Sequence, residues 1–145
     1  MTTYESRRIS PGGDLTDAFE IRRDVFMDEQ GVSAAEEFDG KDENAVHYVV
    51  YVDGSPAGTA RLREPDEGVA KIERVAVRKA HRGNGIGNEV MDLLESEALA
   101  QGCERVVLHA QTAVEEFYEK RGYETRSGVF EEDGILHVRM TKDLE

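Results

Sequence analysis

The sequence predicts a mixed α/β domain with an antiparallel front half and a parallel crossover behind it. Its 145 residues fit one domain, residues 1–145, which is long enough to bury a core without disulfides. Strand-like runs separated by tight turn signals predict the antiparallel part. A long helical pattern followed by the apolar run RVVLHA predicts the crossover, because a strand, helix, strand unit places its two strands parallel.

The first third of the chain carries one strand pattern and two helix patterns. Residues 3–9, TYESRRI, predict a short strand that ends at PGG. From Asp14, a suitable N-cap, apolar residues recur at helical spacing through DLTDAFEIRRDVFMDEQ. Ser33 and Glu36 have the spacing of a capping box, which predicts a second, short helix at SAAEEF.

Three strands and the crossover helix follow. Residues 45–52 and 56–64 flank the turn Asp53-Gly54, and residues 69–77 follow the turn PDEG, so these runs predict an antiparallel meander. Residues 85–102 predict a long amphipathic helix that ends at a glycine.

The last third begins with the strand RVVLHA, residues 105–110. Residues 113–122, AVEEFYEKRG, predict a helix that a glycine closes. Strands near residues 123–131 and 135–141 then form a hairpin around the turn Asp133-Gly134.

Charge and cysteine content exclude several classes of protein. The formal net charge of −13 argues against nucleic acid and anionic membrane surfaces as partners, because both need a basic face. The single cysteine, Cys103, excludes an intrachain disulfide, fits a reducing cytoplasm and is interpreted as structural. Thirteen arginines against five lysines in so acidic a chain predict a salt-rich cytoplasm, and stability that rises with salt would support that habitat.

One stretch of this acidic chain, residues 74–88, contains no carboxylate. It holds Arg78 and Lys79 and then a glycine-rich loop that precedes the long helix. Backbone N–H groups of such a loop can meet an anion at the positive end of the helix dipole, and the local cations would attract it. The stretch therefore predicts a diphosphate site. Its loop residues are Arg82, Gly83, Asn84, Gly85, Ile86 and Gly87.

The glycine spacing separates three kinds of phosphate loop. A P-loop requires a Lys-Ser/Thr pair after its last glycine, and none follows here. A dinucleotide fingerprint would need its last glycine at Asn88 or Val90. What remains is Arg-x-x-Gly-x-Gly, which Arg82, Gly85 and Gly87 satisfy.

This pattern resembles the pyrophosphate-binding signature of the GNAT superfamily of acyl-CoA-dependent N-acetyltransferases, Gln/Arg-x-x-Gly-x-Gly/Ala. FYEKRGY, residues 117–123, is similar to the helix and strand that the family places beside the acyl-CoA sulfur. From about residue 20 to 142 the chain resembles the small ElaA-like branch of the superfamily. The blocks that carry this resemblance are RRDVFMDEQGV, GTARLR, ERVAV, HAQ, FYEKRGY and EEDGILHVRM.

The resemblance implies a GNAT fold, with a central, mostly antiparallel mixed sheet of about seven strands, a splayed parallel pair and about four helices. It implies acetyl-CoA as the co-substrate. The splayed strands would be those that hold residues 75–77 and 106–110. Backbone groups of Val75, Ala76 and Val77 would then bind the pantetheine arm and polarise the thioester carbonyl.

Acyl transfer to an amine requires a neutral amine and a proton for the departing thiolate. Tyr118 matches the tyrosine that many GNAT enzymes use as the acid, with aromatic packing as the alternative. Glu73 is predicted to share the side-chain direction of Val75 and to act as the base, with an ion pair to an arginine as the alternative. His109, beside the polar Gln111, is a second candidate base, with a hydrogen-bonded core histidine as the alternative.

Other polar residues remain open or are predicted to be inert. His47 and His137 could line the same cleft, but nothing in the sequence brings them together. No pair of histidines or acids has ligand spacing on one element, so no metal is predicted. The acids after the first helix predict a solvated charged loop, with attraction of a cationic amine as the alternative. They are Glu36, Glu37, Asp39, Asp42 and Glu43.

The leading hypothesis is a cytoplasmic N-acetyltransferase that moves an acetyl group from acetyl-CoA to a primary amine by direct attack. The acceptor would be a small-molecule amine or a peptide amine. The alternative is a noncatalytic acyl-CoA-binding or sensing domain of the same fold. A phosphate- or nucleotide-binding protein of another class is disfavoured by the glycine spacing. The sequence leaves the oligomeric state open, and a homodimer is compatible with the fold.

Overall fold

Eight strands form one mixed sheet in the computed structural model, which describes residues 1–144. The strands are β1 Tyr4–Ile9, β2 Val46–Val52, β3 Ser55–Asp66, β4 Val69–Val77, β5 Arg105–Gln111, β6 Glu124–Thr125, β7 Phe130–Glu132 and β8 Ile135–Asp143. Their order is β1-β2-β3-β4-β5-β8, and β6 and β7 pair in succession with β8. All pairs are antiparallel except β4 with β5, which confirms the predicted mixed sheet. The strand beyond the predicted seven arises because residues 123–131 form two short strands.

The helices are α1 Thr16–Arg22, α2 Ala34–Glu37, α3 Ile86–Ala100 and α4 Glu115–Glu119. The first helix pattern continues beyond α1 as a π-helical segment, Arg23–Glu29, which the sequence pattern did not predict. The predicted capping box is present, because the Ser33 hydroxyl accepts from the backbone N–H of Glu36 at 3.2 Å. Within residues 1–144, no helix is both long and apolar enough to cross a membrane.

Helices cover both faces of the sheet. On one face, Val90, Met91 and Leu94 of α3 are fully buried in the larger apolar cluster. On the other face, Ala18 and Ile21 of α1 are fully buried in a second cluster with side chains of β2 and β4. Full burial of a Val, Leu, Ile or Met side chain contributes about 1.5–3 kcal/mol, so the two clusters hold the helices against the sheet.

The parallel strands β4 and β5 pair only where they begin. Register partners extend from Val69 with Arg105 to Lys71 with Val107 and then stop. Three residues further along β4, Arg74 has a φ of 56°, and the pairing of β3 with β4 shifts register at this point. This β-bulge bends β4, so its second half diverges from β5, as the family resemblance implied.

Candidate active site

The divergence of β4 and β5 opens a cavity of about 410 Å³, a size typical of small-molecule sites. Ile72 to Val75 of β4 line one long wall, and Leu108, His109 and Gln111 of β5 line the other. The π-helical segment contributes Val25 and Phe26, the end of β7 contributes Glu132, and the β7–β8 turn contributes Asp133. The cavity therefore receives side chains from distant parts of the chain, as a catalytic site requires.

The predicted diphosphate loop leads from β4 into α3 and presents unpaired backbone donors. Among residues 1–144, no acceptor pairs with the N–H groups of residues 83–88, and no side chain caps the start of α3. The next N–H, that of Glu89, donates to the carbonyl of Gly85 at 3.1 Å. Consecutive free donors at the positive end of a helix dipole form an anion site without any side chain.

Two glycines of the loop are required by its geometry. Gly85 has a φ of 79°, in the left-handed region, and a Cβ there would meet no protein atom within 4 Å. A Cβ on Gly87 would lie only 3.3 Å from the Phe117 ring, because α3 begins against α4. Glycine therefore serves the backbone conformation at Gly85 and the close helix contact at Gly87.

The arginines expected to attract the ligand are engaged in ion pairs. Arg78 lies 2.9 Å from Asp24, and Arg82 lies 2.7 Å from Glu29. Both acids belong to the π-helical segment. The Arg82 guanidinium also donates to the carbonyl of Val77 at 2.9 Å, so it ties the loop back to the end of β4.

The three predicted pantetheine-binding residues lie on the diverging half of β4. Val77 and Ala76 pair with β3 on one side and have no partner in β5 on the other. Ala76 packs in the apolar cluster under α1, whereas the side chain of Val75 lines the cavity. The edge of β4 that faces the cavity thus retains backbone groups that a ligand could pair with.

Tyr118 of α4 lines the cavity and is 94% buried within the aromatic cluster of Phe117 and Tyr123. Burial raises the pKa of its phenol, and the charge of Arg121 only partly opposes this. Its hydroxyl makes no hydrogen bond to any of residues 1–144. Both the predicted acid role and the alternative packing role are compatible with this position.

Glu73 lines the cavity, but the reasoning that pointed it at the acceptor is wrong in one step. The bulge at Arg74 breaks the strict alternation of side chains between Glu73 and Val75. The Glu73 carboxylate instead pairs with Arg61 at 3.1 Å and Lys71 at 3.4 Å, and also with Arg63. Burial alone would raise its pKa, but the hydrogen bond from Arg63 and the neighbouring charges lower it to about 2. A carboxylate stabilised in this way is a weak base.

His109 lines the cavity from β5, and Gln111 lies two residues further along the strand. The Nδ1 atom of His109 lies 3.0 Å from Oε1 of Glu132, and the imidazole packs edge-on against Phe130. The Gln111 amide exchanges hydrogen bonds of 3.0 and 3.3 Å with Gln30 across the mouth of the cavity. His109 is thus the candidate base with an orienting partner.

The remaining histidines occupy different environments. His137 of β8 lines the same cavity, and its Nε2 atom lies 3.8 Å from the Glu132 carboxylate. His47 is fully buried away from the cavity and lies 3.0 Å from the carbonyl of Asp42 through Nε2. Glu132, which brings His109 and His137 together, was missed in the sequence because its hydrogen-bond partner His109 lies 23 residues away in the chain. The dense run EEDGILH was the available signal.

Two members of the acidic run after α1 are buried in an ion network, so the prediction of a solvated loop was wrong for Glu37 and Asp42. Glu37 and Asp42 are both more than 90% buried, and both pair with Arg22. Asp39 pairs with Arg61 at 2.6 Å, and Arg61 also contacts Asp42 at 2.9 Å. Two fully buried arginines required these partners, and the sequence alone did not show that they would be buried.

The environment of Cys103 agrees with a structural role. Cys103 is buried, its thiol donates to Glu64 at 3.2 Å, and burial together with that carboxylate raises the thiol pKa to about 11. Such a thiol is a poor nucleophile. Within residues 1–144, no group of three or more His, Cys, Asp or Glu side chains is arranged so that it could hold a metal ion.

Comparison with known proteins identifies the family of the chain. The family model described as an acetyltransferase (GNAT) domain matches residues 16–144. The chain therefore belongs to the GNAT acetyltransferase family, which confirms the resemblance seen in the sequence.

Individual relatives span almost the whole chain. YyaT of Bacillus subtilis is 42% identical over 95% of each chain, and YjcF of the same organism, named as an uncharacterized N-acetyltransferase, is 42% identical over 89% of this chain and 92% of its own. A Lactobacillus plantarum crystal structure assigned as an N-acetyltransferase superposes with a TM-score of 0.90, at 32% identity and 99% coverage of both chains. Escherichia coli ElaA superposes with a TM-score of 0.85, at 25% identity, covering 97% of this chain and 99% of its own.

Proposed function

We propose that the protein transfers an acetyl group from acetyl-CoA to a primary amine. The observation that carries the proposal is that Arg82 belongs to the glycine-rich loop with free N–H groups and also lines the cavity, so the loop and the cavity are contiguous. An extended ligand with a diphosphate at the loop would reach the gap between β4 and β5. The family membership and the N-acetyltransferase names of relatives support the same reaction.

Different parts of the site bind different parts of acetyl-CoA. The free N–H groups of the loop hold the diphosphate, and the unpaired edge of β4 from Val75 to Val77 binds the pantetheine arm. Backbone N–H groups at this edge polarise the thioester carbonyl as an oxyanion hole does. Bound acetyl-CoA supplies the activated acyl group.

Two side chains of the cavity move protons. Tyr118 keeps its proton because burial raises its pKa, and its unbonded hydroxyl donates that proton to the departing thiolate. His109 accepts a proton from the attacking amine, with no covalent intermediate on the protein. Glu73 remains in its ion pairs and holds β3 and β4 together.

The acceptor is a small-molecule amine or a peptide amine, and the reaction takes place in the cytoplasm. Cys103 is buried and forms no disulfide, which supports that location, because free thiols are typical of reducing compartments.

Two measurements test the proposal. Titration of the labelled protein with acetyl-CoA should shift the backbone amide resonances of residues 82–87, whereas ATP and NAD should leave them largely unchanged. An acetylation screen over polyamines, amino acids, aminoglycosides and peptide N-termini should then show amine-dependent release of CoA thiol. Unmoved loop amides would refute the binding site. Moved amides without accelerated transfer to any amine would favour a noncatalytic acyl-CoA sensor.

A further inference from the structure

Glu132 is the centre of a three-residue cluster at the end of the cavity. One carboxylate oxygen lies 3.0 Å from Nδ1 of His109, and the other lies 3.8 Å from Nε2 of His137. Phe130 packs edge-on against His109 at 5.1 Å and stacks on His137 at 6.1 Å between ring centroids. His109, Glu132 and His137 form the cluster and line the cavity, whereas Phe130 packs beside them without lining it. The cluster is held by paired strands, because β5 and β7 both pair with β8.

The hydrogen bonds define which nitrogen carries a proton on each ring. An ionised carboxylate can only accept, so the 3.0 Å contact requires Nδ1 of His109 to donate to Glu132, and this hydrogen bond lowers the pKa of Glu132. Nδ1 of His137 likewise donates to the carbonyl of Ile135 at 2.7 Å. In neutral His109 the lone pair therefore resides on Nε2, which makes no hydrogen bond to residues 1–144.

We propose that Glu132 is the positioning residue of the proton-transfer step, an inference that rests on the proposed function. It holds His109 with Nδ1 protonated and Nε2 available to the acceptor amine. As the neutral amine attacks the thioester, a C–N bond forms, the C–S bond breaks, and the N–H bond of the amine breaks as its proton bonds to Nε2. The departing thiolate takes its proton from Tyr118, which regains one from water. The carboxylate stabilises the resulting imidazolium, which returns the proton to water after product release. Glu132 itself gains no proton.

Other charged and titratable groups surround the cluster and set the background for its pH behaviour. Lys71 approaches from β4 and lowers the pKa of Glu132 together with the histidines. Asp133 lies in the adjoining turn and lines the cavity, and burial raises its pKa. On β8, Arg139 is the register partner of His109, and Tyr118 lines the cavity from α4. Among these groups, Glu132 is the carboxylate in hydrogen-bond contact with the imidazole.

The first test requires no activity. Side-chain nitrogen NMR of the full-length protein without acetyl-CoA should show neutral His109 as the Nδ1–H tautomer. Glu132→Gln should reduce that preference, because an amide can either donate or accept. Glu131→Gln is the matched control, since Glu131 is exposed on the same strand and the substitution removes the same charge. A tautomer unchanged in Glu132→Gln would overturn the proposal.

The second test uses the best amine from the acetylation screen. Glu132→Gln should lower kcat by about 10- to 100-fold, the range of a charge-assisted hydrogen bond, and should move the acidic limb of the kcat/KM profile to lower pH. Glu132→Asp should restore part of kcat, and Glu131→Gln should match the wild type. A lower melting temperature in Glu132→Gln with kcat and the pH limb unchanged would show a merely structural role. If the tautomer responds but no amine is acetylated, the proposed function fails and the positioning geometry stands.

Discussion

Two regions along β4 use charge in opposite ways. At the middle of the strand, the carboxylate of Glu73 joins a network in which Arg22 and Arg61 are fully buried and their acidic partners are close by. At the end of the strand, the loop of residues 83–88 presents backbone donors that have no partner among residues 1–144. The charged groups of the network find partners within the protein, whereas the N–H groups of the loop find none among residues 1–144.

The difference shows what each region can contribute. Charges taken out of water and paired with one another stabilise the arrangement of α1, α2, β3 and β4, and removing one partner leaves the others buried and uncompensated. Donors that lack an internal partner contribute little to folding but bind an anion from solution. We therefore expect substitutions in the network to change stability and substitutions in the loop to change affinity.

The largest effect should follow from Arg61→Met, which removes the guanidinium that contacts Asp39, Asp42 and Glu73. Three carboxylates then lose a buried partner, so the free energy of unfolding should fall by about 3–5 kcal/mol in urea titrations. Arg105→Met is the matched control, because it breaks the exposed pair with Asp143. That variant should lose less than about 1 kcal/mol. Similar losses in the two variants would contradict the comparison.

Acid should weaken the network in a defined pH window. The pKa of Glu73 is about 2 in the folded protein against an ordinary 4.5, so its contribution is fully present above about pH 4.5 and is lost as the pH falls toward 2. The pKa values of Asp39 and Asp42 are also lowered, and their contributions change in the same direction. Unfolding free energies between pH 7 and 3 should fall by an amount on the order of 3 kcal/mol. In Arg61→Met the decline should be shallower, and an equal decline would show that Arg61 is not its source.

The order of the elements and the glycine loop were predictable because each depends on residues close in sequence. The turn Asp53-Gly54, the capping box at Ser33 and the glycine after α3 each carry a local signal that the structure confirms. The parallel pair followed from the strand, helix, strand order, whose handedness and length leave few alternatives.

The network and the Glu132 cluster could not be predicted, because their partners are far apart in the chain. Arg61 meets Asp39 across 22 residues, and His109 meets Glu132 across 23 residues. Charge patterns carry no register information over such distances. The bulge at Arg74 was hidden for another reason, since a positive φ at a non-glycine residue depends on tertiary packing and not on local propensity.

A smaller effect is expected on turnover, from a side chain that lines the cavity. Tyr118→Phe should lower turnover by about 10²-fold, equivalent to about 2.7 kcal/mol, because the thiolate loses its proton donor. Affinity for acetyl-CoA should stay within about twofold, since the hydroxyl makes no contact that the ground state needs. Tyr123→Phe removes a phenol from the same aromatic cluster, but that hydroxyl donates to Glu95 at 2.8 Å. It should lower stability and leave turnover unchanged. Full turnover in Tyr118→Phe would assign Tyr118 to packing.

The smallest predicted effect compares two glycines that have the same backbone conformation, one in the loop and one in a turn outside it. Gly85 and Gly54 both have a φ of 79° and open space where a Cβ would stand, but Gly54 lies in the β2–β3 turn. Alanine at either position should cost about 1–2 kcal/mol of stability, the strain of a left-handed residue. Only Gly85→Ala should weaken acetyl-CoA binding, by about tenfold in calorimetry, because its methyl group would enter the space in front of the free N–H groups. Equal affinities in the two variants would mean that the ligand does not approach the loop backbone. The free N–H groups of the loop would then not be a binding site, and their contrast with the paired charges of the network would not bear on function.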